Sequence, residues 1–590
     1  MRRPRLNNAL KRFFLATVCG VWLAACSTVA PTPVNPVPTG VTSEEESVAP
    51  QPAKPSREMR IERDTLLDIL SAEIAARRML GDAATEHMIA AVKRQPSPEL
   101  AERAARMAHY FNNHPALELA TATWQDLAPT ASEPRYLRAI ALTKQGRLNA
   151  AFLLMESLLQ QGEETNFTAI VSVINQHPSE RLAVQATVTR MRLQHPDNIQ
   201  LIVSDAILAD AANDAVTALE YSQQALGVNP DNYAAMHIKA RSLQILGRED
   251  EAIETLVAAL ELYPETITMR MHLARMLTRR DLQAASEQFE ALVKLAPKDA
   301  SFRLSLALSL KETGKIEAAT QHFNTLLDMG EFTDEANYYL AQIYAQTTPE
   351  LAAGFCLDVQ RRSQYFMPAL ALFIDIKSNQ GQLLSALDSL QKLWLPEDEH
   401  SASIALMAAQ QLTDIGLGSE AEHLLHRAIL QLQDKVDIRY TLSILLQKRG
   451  TYAEAQQLLE QNIAQQPDHA ASLNALGYLL AERGHDLQRA ESLINQAIAI
   501  RPNDAAIIDS LGWVMHKQGQ SEKAATVLTK AHKMLADPEI ASHLIEVLWQ
   551  LNRRIEAQDI IRDSLHQFPD SPELNHTLER LNIPHHPVSE

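Results

Sequence analysis

The sequence predicts an all-α protein built as a row of stacked helical hairpins. Two observations carry this expectation. The first is a repeat: small residues recur at Ala218, Ala252, Ala285, Ala319, Ala386, Ala421, Ala455, Ala490, Ala524 and Ala557, in steps of 33 to 35 residues with one double step of 67. A fixed period of this length is the signature of a stacked array, in which each unit buries its apolar face only against its neighbours. The second is composition. The 590 residues contain 18 glycines, far below the usual share of about 7%, as expected of helices joined by short turns.

The N-terminus reads as an address. Arg2, Arg3, Arg5, Lys11 and Arg12 precede an apolar run from Phe13 to Ala25, which ends at Leu23-Ala24-Ala25-Cys26. Such a run is a secretion signal, too short to span a bilayer permanently. Small residues directly before a cysteine resemble the lipobox of bacterial lipoproteins. That resemblance implies cleavage before Cys26, lipid on its thiol and, with Ser27 next to it, sorting to the outer membrane with the protein facing the periplasm. Residues 1–25 are thus expected to be a lipoprotein signal peptide. Residues 26–56 are expected to be the lipidated cysteine and a tether, because Pro31, Pro33, Pro36, Pro38, Pro50, Pro52 and Pro55 and the acidic Glu44 to Glu46 leave nothing to pack a core. At about 3.1 Å per residue, thirty extended residues reach on the order of 90 Å. The membrane is then met through the anchor only.

Residues 57–584 hold the hairpins, about fifteen by their spacing, and 585–590 are a tail. Gly146, Gly247, Gly314, Gly381, Gly416, Gly450 and Gly519 stand five places before the small residue of their unit, while Pro230, Pro264, Pro297, Pro467, Pro502 and Pro569 stand twelve after it. Glycine supplies the positive φ of the turn inside a hairpin, the small residue lets its two helices approach, and proline stops the second helix. The register extends back through Ala151 and Pro129 to Gly81 and Pro98. Units near 165–200 and 330–400 are degenerate and are expected to be distorted hairpins, with Ala352 keeping the register. The clearest copies lie within 436–570: Leu473-x2-Leu476-Gly477-x2-Leu480 with Ala490-x3-Ile494, then Ile508-x2-Leu511-Gly512-x2-Met515 with Ala524-x3-Leu528. These resemble the tetratricopeptide repeat. The resemblance implies a superhelical solenoid whose first helices line a concave groove. Tyr440, Asn474, Tyr478, Asp509, Trp513, His516 and Lys517 are its inward, partner-binding candidates, with His237, Arg241, Arg270 and Asn337 at equivalent places earlier. Aromatic rings beside amides and charges suit peptide capture. The alternative for Tyr478 and Trp513 is packing between adjacent helices.

The formal charge is −18, and taking off the five cations of the first 25 residues leaves −23. A surface of that sign repels nucleic acid and anionic lipid. Mean hydropathy of −0.17 and a single apolar run exclude a polytopic membrane protein. Phosphate-loop, zinc-helix and nucleophile-elbow motifs do not occur in the sequence, so no catalytic residue, cofactor or metal is assigned. Glu422, His423 and His426 fall within one helical turn but read as surface coincidence, as do His585 and His586. The cluster Glu397-Asp398-Glu399 reads as a solvated turn. Cys356 reads as a buried, inert thiol.

A closer resemblance lies in Leu473-Asn474-Ala475-Leu476-Gly477-Tyr478, Asp509-Ser510-Leu511-Gly512-Trp513 and Ile540-Ala541-Ser542-His543-Leu544. Together with the lipobox and the proline-rich tether, this succession is similar to the tetratricopeptide outer-membrane lipoproteins of the LbcA type. The similarity implies a non-enzymatic scaffold that binds and activates a periplasmic carboxyl-terminal processing protease and presents peptidoglycan hydrolases to it. The alternative is a chaperone or assembly factor for outer-membrane proteins, pili or polysaccharide export. Oligomeric state is left open.

Overall fold

The computed structural model describes residues 61–433 and 435–583. The residues expected to form the signal peptide, the lipidated Cys26, the tether and the tail all lie outside the described residues. Within them are 31 α-helices and no strand, so the all-α expectation holds. The chain divides into two compact units, one up to His322 and one from Phe323 on, with the division inside the helix Ile316–Met329.

In the first unit, helices pair in sequence order, beginning with Arg63–Arg77 against Gly81–Arg94 and Pro98–Tyr110 against His114–Leu127. The second unit repeats the plan through Ala470–Glu482 against Leu487–Ile500, Ala505–Lys517 against Ser521–Met534 and Pro538–Gln550 against Arg554–Gln567. The short helix Pro572–Arg580 closes it.

Local chemistry accounts for the punctuation. Gly450, at φ 86°, ends Val436–Arg449, and the next amide, Thr451 N–H, donates back to the Leu446 carbonyl at 2.9 Å. This closes the orphan carbonyls of the first helix while the chain reverses. In three units without a glycine there, asparagine takes the left-handed conformation, at Asn112 (φ 54°), Asn213 (φ 59°) and Asn552 (φ 61°). Asparagine tolerates that region better than other residues with a Cβ. In the first hairpin the left-handed residue is Met79 (φ 58°), and Gly81 instead begins the following helix. Two residues after five of the six hairpin-ending prolines, Pro264 with its Thr266 being the exception, stands a side-chain cap of the next hairpin: Asn232 after Pro230, Asp299 after Pro297, His469 after Pro467, Asp504 after Pro502 and Ser571 after Pro569. Each side chain accepts a hydrogen bond from a backbone amide of the first turn.

The recurring alanines are buried, from Ala218 to Ala557, with Ala386 the most exposed of them at 6%. Gly477 and Gly512 mark a second close approach inside their hairpins. A Cβ on Gly477 would sit 2.9 Å from the Ala490 carbonyl oxygen and 2.5 Å from Ile494 Cγ1, whereas one on Gly512 would meet the Leu528 side chain at 2.6 Å. Gly477→Ala is therefore expected to destabilise by about 1–3 kcal/mol, more than cancelling the helix-propensity gain of about 1 kcal/mol, because a backbone oxygen cannot step aside. Gly512→Ala should cost less, since Leu528 can change rotamer. Urea unfolding of the two variants checks the order.

The degenerate stretches are distorted units. Near 165–200 the first helix shrinks to Phe167–Val171, followed by two 3-10 turns and then Arg181–Gln194. Between 330 and 400 hairpins persist, but their second helices are only Pro349–Leu357 and Leu383–Lys392. Ala352 is buried as the register requires.

Candidate functional site

Three consecutive first helices of the C-terminal unit, Ala470–Glu482, Ala505–Lys517 and Pro538–Gln550, bring one turn each to a common face. Asp509 and His543 occupy neighbouring helices 34 residues apart, so the repeat itself sets them side by side. His543 Nδ1 lies 2.9 Å from Asp509 Oδ2 and 3.1 Å from Oδ1. On the other side of the ring, Nε2 is 3.2 Å from the Tyr478 hydroxyl, which donates to Glu539 Oε1 at 3.1 Å. With the Tyr478 proton directed at Glu539, the Nε2 contact is satisfied when Nε2–H donates. Nδ1–H donates to Asp509. Both ring nitrogens then carry protons, and His543 is an imidazolium held between acids.

Electrostatics agree with the geometry. Burial works against a charge on His543, but the Asp509 carboxylate overrides it, helped by Glu539 and Glu482, and the net displacement is above the ordinary imidazole value. The Tyr478 hydroxyl is also pushed upward, by burial first and then by Glu539, Glu482 and Asp509. A phenol so displaced stays protonated near neutral pH and serves as a hydrogen-bond donor.

Trp513 forms the floor. Its ring stacks on His543 at 4.2 Å and 20°, and its indole N–H donates to Glu482. Lys517 Nζ lies over the same ring, 4.6 Å from its centroid, and 3.9 Å from Glu482. His516 tilts against Trp513 at 5.2 Å and shares a hydrogen bond with Ser521 at 3.2 Å. Burial chiefly, then Lys517, His543 and Arg580 acting against Glu546, lower its pKa. At the edge, Arg580 of the closing helix donates to Glu546 at 2.9 Å.

Of the sequence candidates, Tyr478, Asp509, Trp513, His516 and Lys517 are thus brought together. Asp509 and Trp513, each 4% exposed, are foundations, while Tyr478 is half-buried and Lys517 is exposed. Asn474 lies one turn before Tyr478 on the same helix and outside the hydrogen-bonded group. Tyr440 stands apart, edge-on to His469 at 6.0 Å. Glu482, Glu539 and His543 are not among the groove candidates that the sequence offers, although one repeat length from Asp509 leads directly to His543.

In the first unit, His237 lies between Tyr233 and His272. Burial, then His237, Arg241 and Arg275, lower His272 to about 4. Arg241 pairs with Asp210 at 3.0 Å. Arg270 turns back to the Pro264 carbonyl at 2.6 Å and so braces the preceding turn. In the second unit, Asn337 is buried and reaches the Asp358 carbonyl at 3.5 Å.

Among the described residues, no group of three or more His, Cys, Asp or Glu is disposed to hold a metal. Glu422 instead pairs with Arg449 at 2.6 Å, and His426 lies 3.5 Å from Glu454. Cys356 is buried, which pushes its thiol up to about 12, the inert state expected of it. No described helix is long and apolar enough to cross a membrane.

A tetratricopeptide-repeat model matches residues 276–332 and 440–505, and another matches 233–266. Both units therefore contain segments that match tetratricopeptide repeats. The chain is similar to the TPR repeat-containing protein PA4667 of Pseudomonas aeruginosa, at 28% identity over 597 residues covering 96% of this chain and 90% of that one. Among solved structures it is similar to TTC0263, a thermophilic TPR protein of Thermus thermophilus, at 24% identity and a TM-score of 0.28 over 30% of this chain and 98% of that one. It is also similar to the APC/C hetero-tetramer Cut9-Hcn1, at 15% identity and a TM-score of 0.30 over 88% and 96%.

Proposed function

We propose that this repeat protein is a non-enzymatic scaffold anchored through lipidated Cys26 to the outer membrane and facing the periplasm. Its C-terminal repeats recruit protein partners to the cell wall. The observation that carries the binding role is the shared face of Tyr478, Glu482, Lys517 and Glu539 over the buried Trp513, Asp509 and His543. Side chains already locked by stacking and hydrogen bonds lose little entropy when a partner settles on them, which is the condition for a strong local contribution to binding. By its resemblance to the LbcA type, the partner is a carboxyl-terminal processing protease, with peptidoglycan hydrolases as the cargo presented to it. Anchoring raises the effective concentration of all three at one surface.

The test is capture from periplasmic extract with the full chain, comparing wild type with Tyr478→Ala and with Glu482→Ala/Glu539→Ala. Wild type is expected to retain a protease of that class, and the variants to bind it at least about tenfold more weakly, equivalent to about 1.4 kcal/mol. Recovery of pilus or barrel-assembly components in place of the protease would overturn the protease assignment. Equal binding by all variants would overturn this site.

A further inference from the structure

The first helix of the described residues, Arg63–Arg77, is amphipathic in the wrong direction for the outer face of an array. Toward the rest of the unit it buries Thr65, Ala72 and Ala75. Outward it shows Leu66, Leu67, Leu70 and Ile74, exposed by 43, 63, 51 and 54%. Positions 66, 70 and 74 follow one another at helical spacing, so these side chains form a continuous stripe. The closing helix of the C-terminal unit does the opposite. Pro572–Arg580 buries Leu574 and Leu578 and turns Glu573, His576, Glu579 and Arg580 to solvent, as a terminal cap of a repeat array should.

From this contrast we infer that the outer face of Arg63–Arg77 is the contact surface for a second copy of the same chain. The preceding residues 27–60 contain no Leu, Ile, Phe, Tyr or Trp and a single Met, Met59, too few large apolar side chains to match the stripe, whereas a second copy brings the same four residues. Charge fixes the direction. The start of the helix carries Glu62 and Asp64 against the single Arg63, and its end carries Arg77 and Arg78. An antiparallel pair therefore sets the acidic start of each helix beside the basic end of the other and opposes the two helix dipoles, while a parallel pair sets like ends together. Antiparallel pairing of identical helices is an isologous, closed contact with its two-fold axis near Leu70, the middle of the stripe.

The test uses the full chain. Leu70→Cys is expected to give a disulfide-linked dimer on mild oxidation. Leu430→Cys, at an unrelated leucine exposed by 82%, and the wild-type cysteines should not. In sedimentation, Leu70→Asp should weaken self-association at least about tenfold with an unchanged thermal melt, because the leucine it replaces is already in solvent. Arg77→Glu/Arg78→Glu should weaken it likewise and recover when mixed with a Glu62→Arg/Asp64→Arg chain. Absence of the Leu70→Cys cross-link, equal cross-linking from Leu430→Cys, or a chain that stays monomeric while Leu70 mediates attachment to phosphatidylethanolamine vesicles would each overturn the inference. None of these readouts depends on which protein the C-terminal repeats bind.

Discussion

Replacing His543 by alanine is expected to cost the C-terminal unit about 3–5 kcal/mol, the range for breaking a buried ion pair by removing one partner. The loss comes less from the missing ring than from what stays behind. Asp509 would keep a carboxylate that is 4% exposed with no imidazolium beside it, and Tyr478 would lose the donor to its hydroxyl oxygen. Asp509→Asn should cost less, because the histidine can release its proton and avoid a stranded charge, an escape that a carboxylate flanked by Glu482 and Glu539 achieves only by binding a proton. In a double-mutant cycle, His543→Ala with Asp509→Ala should therefore fall well short of the sum of the single losses. In a repeat array the effect stays near its origin, so hydrogen exchange should show it in the helices from Ala470 to Gln550 and not in the first unit. A loss below about 1 kcal/mol would contradict the charged assignment of His543.

The same assignment gives a pH dependence of known sign. The folded pKa of His543 lies above its unfolded value, so the folded state holds a proton that the unfolded state releases first. Its contribution is complete below about pH 6.5, the ordinary imidazole value, and fades as pH rises through the elevated folded value. Urea midpoints of the wild type should fall across that interval relative to His543→Gln, whose profile should lack the extra slope. A wild-type profile parallel to the variant's would mean that His543 is neutral and that the Tyr478 hydrogen bonds are arranged otherwise.

Much of the fold was legible because the repeat writes the same mechanical needs at the same positions. A turn that requires positive φ, a helix contact that requires a small residue and a helix that must stop produce Gly450, Ala455 and Pro467 in one unit and recur in the next. The site was legible in part. Spacing placed Tyr478, Asp509 and Trp513 on first helices facing inward, but it could not say that Trp513 would be covered by His543 and Lys517. That depends on pairing between helices separated by a repeat or two, as in the Tyr478 to Glu539 bond, which spans 61 residues. The outward leucines of Arg63–Arg77 were hidden for a related reason. Leu66, Leu70 and Ile74 have the same helical spacing as a core-facing stripe, and only the packed neighbour shows that Ala72 and Ala75 took the inward face.

Phe167→Ala is the second substitution expected to have a large effect, about 3–5 kcal/mol, the range for emptying a buried phenylalanine site. The irregular unit has little else to stand on. Its first helix, Phe167–Val171, is far shorter than an isolated helix needs to persist, and the Asn166 cap, accepting from the Ala169 amide at 3.0 Å, holds only its start. Phe167 is fully buried and stacks on Phe152 at 5.3 Å and 26°, within a cluster that includes Ile170, Val171, Ile174, Val184, Val188 and Met191. A regular hairpin spreads its burial over two helices of three or more turns, and so survives the loss of one ring by partial collapse. Here the ring joins the short helix to the helices Leu148–Leu159, Arg181–Gln194 and Ile199–Ala211 around it, and a helix of five residues has few other side chains with which to keep that contact once the ring is gone. Amide protection from Ile170 to Gln176 should fall toward that of an open chain, while Glu249–Leu262 in the same unit keeps its protection. Leu182→Ala, at a leucine exposed by 80%, should change neither. Retained protection at Ile170 and Ile174 in Phe167→Ala would show that the two 3-10 turns hold this segment independently of the ring.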